Sequence, residues 1–423
     1  MANAKGQLQH VSPSMVAVLD RCAEINDNIE RWSNESGWNP FHRTYESGDD
    51  GWVVRDGRRL LMTGSSSYLG LSRHPRIREA VVEAIDTYGS ACHGSRALTG
   101  NKLIHEAFES EIADYLGGQK ALMFSNGWLT NYTVIATLIR PGDAVITDLK
   151  NHNCISSGIR ASGARVIYFK ASDPRTLKRA LVKAGDATTL VVSDAVFSME
   201  GSIIPLPPML ELCKEHGAML MLDEAQSIGV IGRTGRGLAE HFDVDPSEID
   251  IRTGTASKVL SSSGGYVVTH EAITRALSRH GDGFIFTGAP SVVMAATALA
   301  SLRVLRESPE LVSELQAKTD YFRNALRNAG VQPMGDSTPI VPIIYNTEPN
   351  LLEIVWRLEQ AGIFAVPAIY PAVPRKSPRI RFNVTNEMSY EDLDFLIETY
   401  VAIHRDVVGT PSDIDLTETE LTG

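Results

Sequence analysis

Four short segments carry side chains that could do chemistry, each placed where a strand-like run gives way. In Thr253-Gly254-Thr255-Ala256-Ser257-Lys258-Val259-Leu260-Ser261-Ser262-Ser263-Gly264-Gly265 one lysine stands alone as a charge among many small residues. Small neighbours let the backbone press against a bulky ligand. A partly desolvated amine also has the depressed pKa that a Schiff-base lysine requires. Thr255, three positions earlier, offers a hydroxyl to a phosphate oxygen. The competing reading of Lys258 is a solvated surface group, the usual fate of lysine. Asp223 follows the apolar run Met219–Leu222. A carboxylate there either caps a helix or faces a cationic ligand. Beside a pyridinium nitrogen it would hold the proton that makes the ring an electron sink.

The other two segments are Phe124-Ser125-Asn126-Gly127-Trp128 and Asp148-Leu149-Lys150-Asn151-His152-Asn153-Cys154. Small and polar residues between a strand and a helix let backbone N–H groups approach an anion at the helix N-terminus. The alternative for the first is a plain turn. His152 could lie flat on an aromatic ring, or be a surface residue or a cap.

These segments need a scaffold that brings strand ends together. From about Ser65 to Pro290 the chain alternates amphipathic helical stretches (His74–Tyr88, Leu103–Leu116, Pro174–Lys183) with short runs apolar on both faces. The runs are Ala121–Phe124, Ala144–Ile146, Val166–Phe169, Leu190–Ser193, Met219–Leu222 and Tyr266–Thr269. This alternation predicts an α/β fold with a mainly parallel sheet covered by helices. Ligands on such sheets bind beyond the carboxyl ends of the strands.

After Pro290 the pattern becomes that of a smaller α+β C-terminal lobe. Helices are expected at Ala295–Arg306, Leu311–Asn328, Leu351–Ala361 and Tyr390–Ile403, and strands at Ile340–Tyr345 and Arg379–Val384. Before Ser65, the spacing of Met15, Val16, Val18, Leu19, Cys22, Ile25 and Ile29 predicts a helical arm whose apolar stripe needs a partner surface. Asp56-Gly57 between two strand-like runs predicts a hairpin. The expected division is therefore an arm and hairpin at 1–64, a large domain at 65–290, a small domain at 291–408 and a disordered acidic tail at 409–423.

Composition narrows the function classes. The 423 residues exceed what one core usually carries, so two lobes are expected. The formal net charge of −11 repels a polyanion, which argues against nucleic acid. A local basic patch could still serve an anionic cofactor or a CoA phosphate. The four cysteines, Cys22, Cys92, Cys154 and Cys213, form no CxxC pair and no zinc spacing, so no metal is expected. Met1–Gln9 has no apolar core and no apolar run is long enough to span a bilayer, so a cytoplasmic protein without an integral membrane segment is expected.

The order of the whole set of motifs resembles a known family. The pieces are Tyr68-Leu69-Gly70-Leu71, Gly94–Gly100 with His105 and Glu109, Asn126-Gly127-Trp128 with Asn131, Asn151-His152, Val196-Phe197-Ser198-Met199-Glu200-Gly201, Asp223-Glu224-Ala225, Gly229–Gly237, Thr255–Lys258 and Arg379-Ile380-Arg381. Together, over roughly residues 50–405, they are similar to the α-oxoamine synthases, fold-type I enzymes dependent on pyridoxal 5′-phosphate (PLP). The wording is closest to the serine palmitoyltransferase and 8-amino-7-oxononanoate synthase branches. The resemblance implies a fold-type I transferase that condenses an amino acid with an acyl thioester, on CoA or an acyl carrier protein, as a homodimer.

It also implies roles. Lys258 forms the Schiff base, Asp223 pairs with the pyridine nitrogen, His152 stacks on the ring and Ser198 contacts the phenolic oxygen. Asn126, Gly127, Trp128 and Thr255 hold the phosphate, with Thr287 reaching it from the other subunit or, alternatively, capping a helix of its own. Arg381 binds the amino-acid carboxylate, with Arg379, on the same strand face, as the less favoured alternative. Two departures touch the site. Gln226 stands where the family usually has a histidine near the phenolic oxygen; it can donate a hydrogen bond but carries no titrating proton. The Ser65-Ser66-Ser67 stretch, with Ser66 as the substrate-side candidate, lacks an asparagine that several members place there. Rival readings are another fold-type I enzyme such as an aminotransferase, or a non-catalytic partner subunit, which would lack the Schiff-base lysine.

Overall fold

The computed structural model describes residues 12–46 and 51–409; at 24–32 and 34–36 only the backbone is described. The Met1–Gln9 stretch and, from residue 410, the expected acidic tail lie outside the described residues. In chain order the strands are β1 (Trp52–Arg55), β2 (Arg58–Met62), β3 (Lys120–Phe124), β4 (Ala144–Asp148), β5 (Arg165–Phe169), β6 (Thr189–Asp194), β7 (Met219–Asp223), β8 (Ile251–Thr255), β9 (Gly265–Thr269), β10 (Ile340–Ile344), β11 (Ile363–Phe364), β12 (Pro367–Ala368) and β13 (Arg379–Asn383).

Seven of these form the central sheet, in the order β3-β9-β8-β7-β6-β4-β5. All its pairings are parallel except those of β9, which runs antiparallel to both β3 and β8. Alternate residues feed opposite cores: Ala121 and Met123 of β3 join one cluster, Leu122 and Phe124 the other. That two-sided burial is why the strands read as apolar throughout. Each buried aliphatic or aromatic side chain contributes about 1.5–3 kcal/mol, so the two cores together fix the register firmly. The exception is β5, whose Arg165, Val166 and Tyr168 are exposed because it closes the sheet edge.

Sequence reasoning missed β8. Its residues Ile251-Arg252-Thr253-Gly254-Thr255 look polar, yet the strand is central and buried. Arg252 is accommodated there by a paired carboxylate, Glu224, at 2.8 Å, and by the carbonyls of Leu116 and Arg236. A fully hydrogen-bonded guanidinium tolerates burial where a lone one would not.

The other expected elements form, with ends shifted by a few residues. The Asp56-Gly57 hairpin has positive φ at both turn residues, 50° and 71°, the geometry that matches strand twist. Its second strand pairs in parallel with β11, tying the N-terminal hairpin to the C-terminal part of the chain. A second small sheet runs β10-β13-β12 and carries Arg379 and Arg381. The arm forms the helix Pro13–Ser36, capped by Ser12, which accepts from the Met15 N–H at 3.3 Å. Met15, Val16, Val18 and Leu19 are exposed on it, so this part of its apolar stripe is uncovered among the described residues; the side chains of Ile25 and Ile29 lie outside them.

Candidate active site

The carboxyl ends of β4, β6, β7 and β8 and the start of the helix Gly127–Leu138 surround a cavity of about 370 Å³. Asn126, Gly127, Trp128, His152, Ser198, Asp223, Gln226, Thr255 and Lys258 all line it. The motifs scattered along the sequence therefore converge on one place.

Asp223 is buried at the end of β7, with a donor on each oxygen. The Ala225 N–H approaches Oδ1 at 2.9 Å and the Asn131 amide approaches Oδ2 at 2.7 Å. Asn131 is itself oriented by the Thr253 hydroxyl at 2.7 Å. Burial pushes the Asp223 pKa up, while these donors and the nearby Lys258 and His152 pull it down. Burial outweighs them and the net direction is up; the two donors are what favours the carboxylate form, the form that would face a cation.

The Lys258 amine faces the cavity. Burial lowers its pKa; Asp223 raises it and Arg381 lowers it again. The backbone around it is tightly seated. Gly229, at φ 70°, packs so closely on Val259 that an added Cβ would lie 2.3 Å from that side chain. The Gly229–Gly237 motif thus supports the lysine loop from behind.

His152 opens onto the cavity with much of its residue surface accessible, yet burial of its surroundings still lowers its pKa, against the pull of Asp223. The Cys154 N–H points to Nδ1 at 3.4 Å, and the Cys154 thiol lies 2.9 Å from the same nitrogen. Burial first, then Asp223 and Asp194, push that thiol pKa far up, so it stays protonated and donates. Both contacts use Nδ1 as an acceptor, which leaves the ring neutral with its proton on Nε2.

At the other end of the cavity, the Asn126 side chain caps the helix by accepting from the Leu129 N–H at 2.8 Å. The first-turn N–H groups of Gly127 and Trp128 need partners from outside the helix. Thr255 sits against them: a Cβ on Gly127 would come within 2.9 Å of the Thr255 Cβ. Ser257 lines the cavity beside Thr255, with hydroxyl oxygens 2.8 Å apart. Helix N-terminus, hydroxyls and a glycine cradle make an anion seat.

The two arginines of β13 differ. Arg379 is 3% exposed and fully engaged, donating to Ser377, to the Met199 carbonyl and to Glu200 at 3.3 Å. Arg381 is half-buried, is not itself part of the cavity wall, and donates at 3.1 Å to the carbonyl of Ser198, which is. It is also near enough to Tyr68 and Lys258 to bias both electrostatically. Ser66 is half-buried beside the Tyr68 hydroxyl and is not part of the cavity wall. Gln226 is buried, and its Oε1 accepts from Tyr68 at 2.8 Å. Thr287 lies outside the cavity of its own chain; its hydroxyl donates to the Gly283 carbonyl at 2.8 Å, and Ser291 caps the next helix. Asp194, at the end of β6, and Cys154 also line the cavity, and sequence reasoning assigns neither a role. The signal for Asp194 was the same as for Asp223, an acid closing an apolar run, but the run was cut one residue short at Ser193.

The family described as aminotransferase class I and II matches residues 60–399. The 8-amino-7-oxononanoate synthase of Petrotoga mobilis is 34% identical over 388 residues, covering 91% of this chain and 98% of that protein. A serine palmitoyltransferase of Bacteriovorax stolpii is 32% identical, over 85% of this chain and 86% of that protein. Among solved structures, a lysine-to-alanine variant of serine palmitoyltransferase from S. paucimobilis, with a bound PLP–myriocin aldimine, superposes with a TM-score of 0.88 at 27% identity, covering 92% of this chain and 98% of that one.

Proposed function

Because this chain belongs to the α-oxoamine synthase family of fold-type I PLP enzymes, whose chemistry is a Claisen-type condensation, we propose that it joins an α-amino acid to an acyl thioester. The thiol and CO₂ leave, and the product is an α-amino ketone. The observation that carries the reading is that Asp223, with a donor on each oxygen, lines the same cavity as its one lysine, Lys258.

The residues fit pyridoxal phosphate: a carboxylate for a pyridinium, an amine for the aldehyde, and an anion seat closed by the Gly127 cradle for the phosphate. When bound, the cofactor supplies an electron-accepting ring that lets an amino acid give up its Cα proton. Asp223 keeps a proton on the nitrogen set against it. Lys258, with its pKa lowered by burial, takes up and returns the Cα proton. His152 presents a neutral Nε2–H on the cavity face. Gln226, whose Oε1 accepts from Tyr68, keeps its amide NH₂ as a donor for the cofactor from the cavity wall that it shares with Ser198. Arg381 holds the amino-acid carboxylate, because Arg379 is already committed.

A homodimer is part of the proposal, with Thr287 contributing to the partner's site. The uncovered arm helix and the exposed Leu98 and Phe286 support it. The acyl carrier is CoA or a carrier protein. The deciding experiment is thiol release from a panel of acyl-CoAs against glycine, alanine and serine. Thiol release that requires one amino acid supports the proposal. Amino-group transfer to a keto acid, with no thiol release from any acyl donor, would move the chain to aminotransferase chemistry. Borohydride should fix the cofactor on Lys258, and attachment to any other lysine would remove the basis of the reading.

A further inference from the structure

Asp194 and Asp223 end neighbouring strands in register, so two carboxyl groups lie side by side. Their surroundings are unequal. Asp223 has a donor on each oxygen. Asp194 has one: the His152 backbone N–H approaches Oδ2 at 3.1 Å. Its Oδ1 is buried and has no partner among the described residues, in a side chain that is 5% exposed and forms part of the cavity wall. An ionised carboxylate in that position would leave charge on an unanswered oxygen, next to a second carboxylate. A neutral acid removes the conflict: Oδ2 remains the acceptor for His152, and Oδ1 becomes a donor lacking only an acceptor.

The order of the sheet says what that acceptor is. The anion seat follows β3 and β8, and the sheet runs β3-β9-β8-β7-β6. Asp194 on β6 is therefore on the far side of Asp223 from the seat. In pyridoxal phosphate the phosphate-bearing carbon and the oxygen-bearing carbon flank the aldehyde carbon on opposite sides. With the nitrogen at Asp223 and the phosphate on the β8 side, the oxygen-bearing edge faces β6. Ser198, which follows β6, shares that side. We infer that Asp194 is a neutral carboxylic acid whose Oδ1–H donates to the oxygen-bearing edge of the cofactor ring, the uncharged counterpart of ionised Asp223. The inference rests on the cofactor reading above.

The electrostatics agree. Burial, then the charge of Asp223, hold the Asp194 pKa well above the usual carboxylate range, against the His152 N–H and Lys258, with Glu200 adding to the rise. Cys154, the remaining titratable group facing it, is itself neutral. A carboxylic acid kept neutral by its site is a known way to place a strong donor against a developing or resident oxyanion.

Infrared difference spectroscopy of wild type against Asp194→Asn tests the protonation state directly, in apoprotein. Wild type should show a protonated-carboxyl C=O band that the variant lacks, and loading with PLP should shift it. Cofactor affinity, followed by quenching of protein fluorescence, should stay within about threefold in Asp194→Asn, because an amide NH₂ is also a donor, and should fall roughly tenfold in Asp194→Ala. Three results overturn the inference while borohydride still fixes PLP on Lys258: no such band in wild type, a band indifferent to loading, or a loss in the asparagine variant as large as in the alanine one. If borohydride fixes no cofactor on Lys258 in wild type, the cofactor reading itself fails and the inference falls with it. Should Asp194→Ala not fold, the isosteric variant and the infrared band still decide.

Discussion

On the sheet side of the cavity, each reacting group is fixed by bonds that run back into one buried sheet. Asp223 is held by Ala225 and Asn131, Asn131 by Thr253, and His152 by Cys154 and Asp194. On the C-terminal side the groups come from elsewhere. Arg381 belongs to β13 of a separate small sheet, and Tyr68 to the loop after β2; neither is part of the cavity wall, and each bonds to a residue that is, Arg381 to the Ser198 carbonyl and Tyr68 to Gln226. The difference separates two tasks. Groups proposed to hold the cofactor and move protons sit where geometry is over-determined, and Arg381, proposed to select the substrate, sits where a neighbour can be exchanged without disturbing them. The departures from the family pattern, Gln226 and the Ser65–Ser67 stretch, fall at or beside the second kind of position.

The comparison breaks most visibly at Asp223. Asp223→Asn should fold and bind cofactor but lose about a thousandfold in exchange of the Cα proton with deuterated water, on the scale of a lost acid–base group. Exchange at the wild-type rate would reduce Asp223 to a helix cap. The two arginines sharpen the contrast next. Arg381→Ala should weaken amino-acid binding roughly ten- to hundredfold, the worth of a charge-assisted pair of about 1.5–3 kcal/mol, and leave acyl-thioester binding nearly unchanged. Arg379→Ala should instead cost about 3 kcal/mol of stability in urea unfolding, because it removes the buried partner of Glu200 and leaves that carboxylate only the longer contact with half-exposed Lys150 at 3.8 Å. An exchange of these two outcomes would assign the carboxylate to Arg379.

A titration examines the support beneath the sheet side. His105, buried in the helix Leu103–Leu116, accepts from the Lys102 N–H at Nδ1 and donates from Nε2 to the Pro290 carbonyl. Burial, helped by the charge of Arg96, lowers its pKa from 6.5 to about 4. The unfolded chain therefore binds a proton that the folded chain refuses between those values. The His105 contribution is complete above pH 6.5 and is lost as pH falls toward 4, at ~1.4 kcal/mol per pH unit. Urea unfolding across this range should show the slope, and His105→Gln should flatten it. The smallest effect belongs to Tyr68→Phe. Burial pushes the Tyr68 pKa up to about 12, so it is a permanent donor to Gln226. Losing it should change cofactor affinity about threefold, the worth of one neutral hydrogen bond. A change as large as that of Asp223→Asn would erase the distinction between the two sides.

Much of this arrangement could be read from residue order. Apolar strands, the Asp56-Gly57 turn and the helical spacing of Leu103–Leu116 are local signals, and they place the residues that follow each strand at one edge. What stayed hidden depends on partners distant in sequence. The strand Ile251–Thr255 is disguised by Arg252, whose burial makes sense only with Glu224 and two backbone carbonyls beside it. Arg379 and Arg381 are indistinguishable until Glu200 and Ser377 are seen to occupy the first. Asp194 carried a usable signal, but its importance lies in the bond that Oδ1 does not make, which no residue pattern encodes.

The sheet order also bears on how the molecule comes into being. β3 hydrogen-bonds to β9, Lys120 opposite Thr269, although β4 to β8 and the helices among them separate the two in the chain. The two halves of the anion seat, the start of the helix after β3 and Thr255 at the end of β8, are brought together only through that long-range pairing. Contacts between distant segments form late, since a long loop must close before they repay its entropy. A growing chain therefore has no seat until β9 has been made and inserted between β3 and β8, so an anion held there cannot guide the pairing that creates the seat.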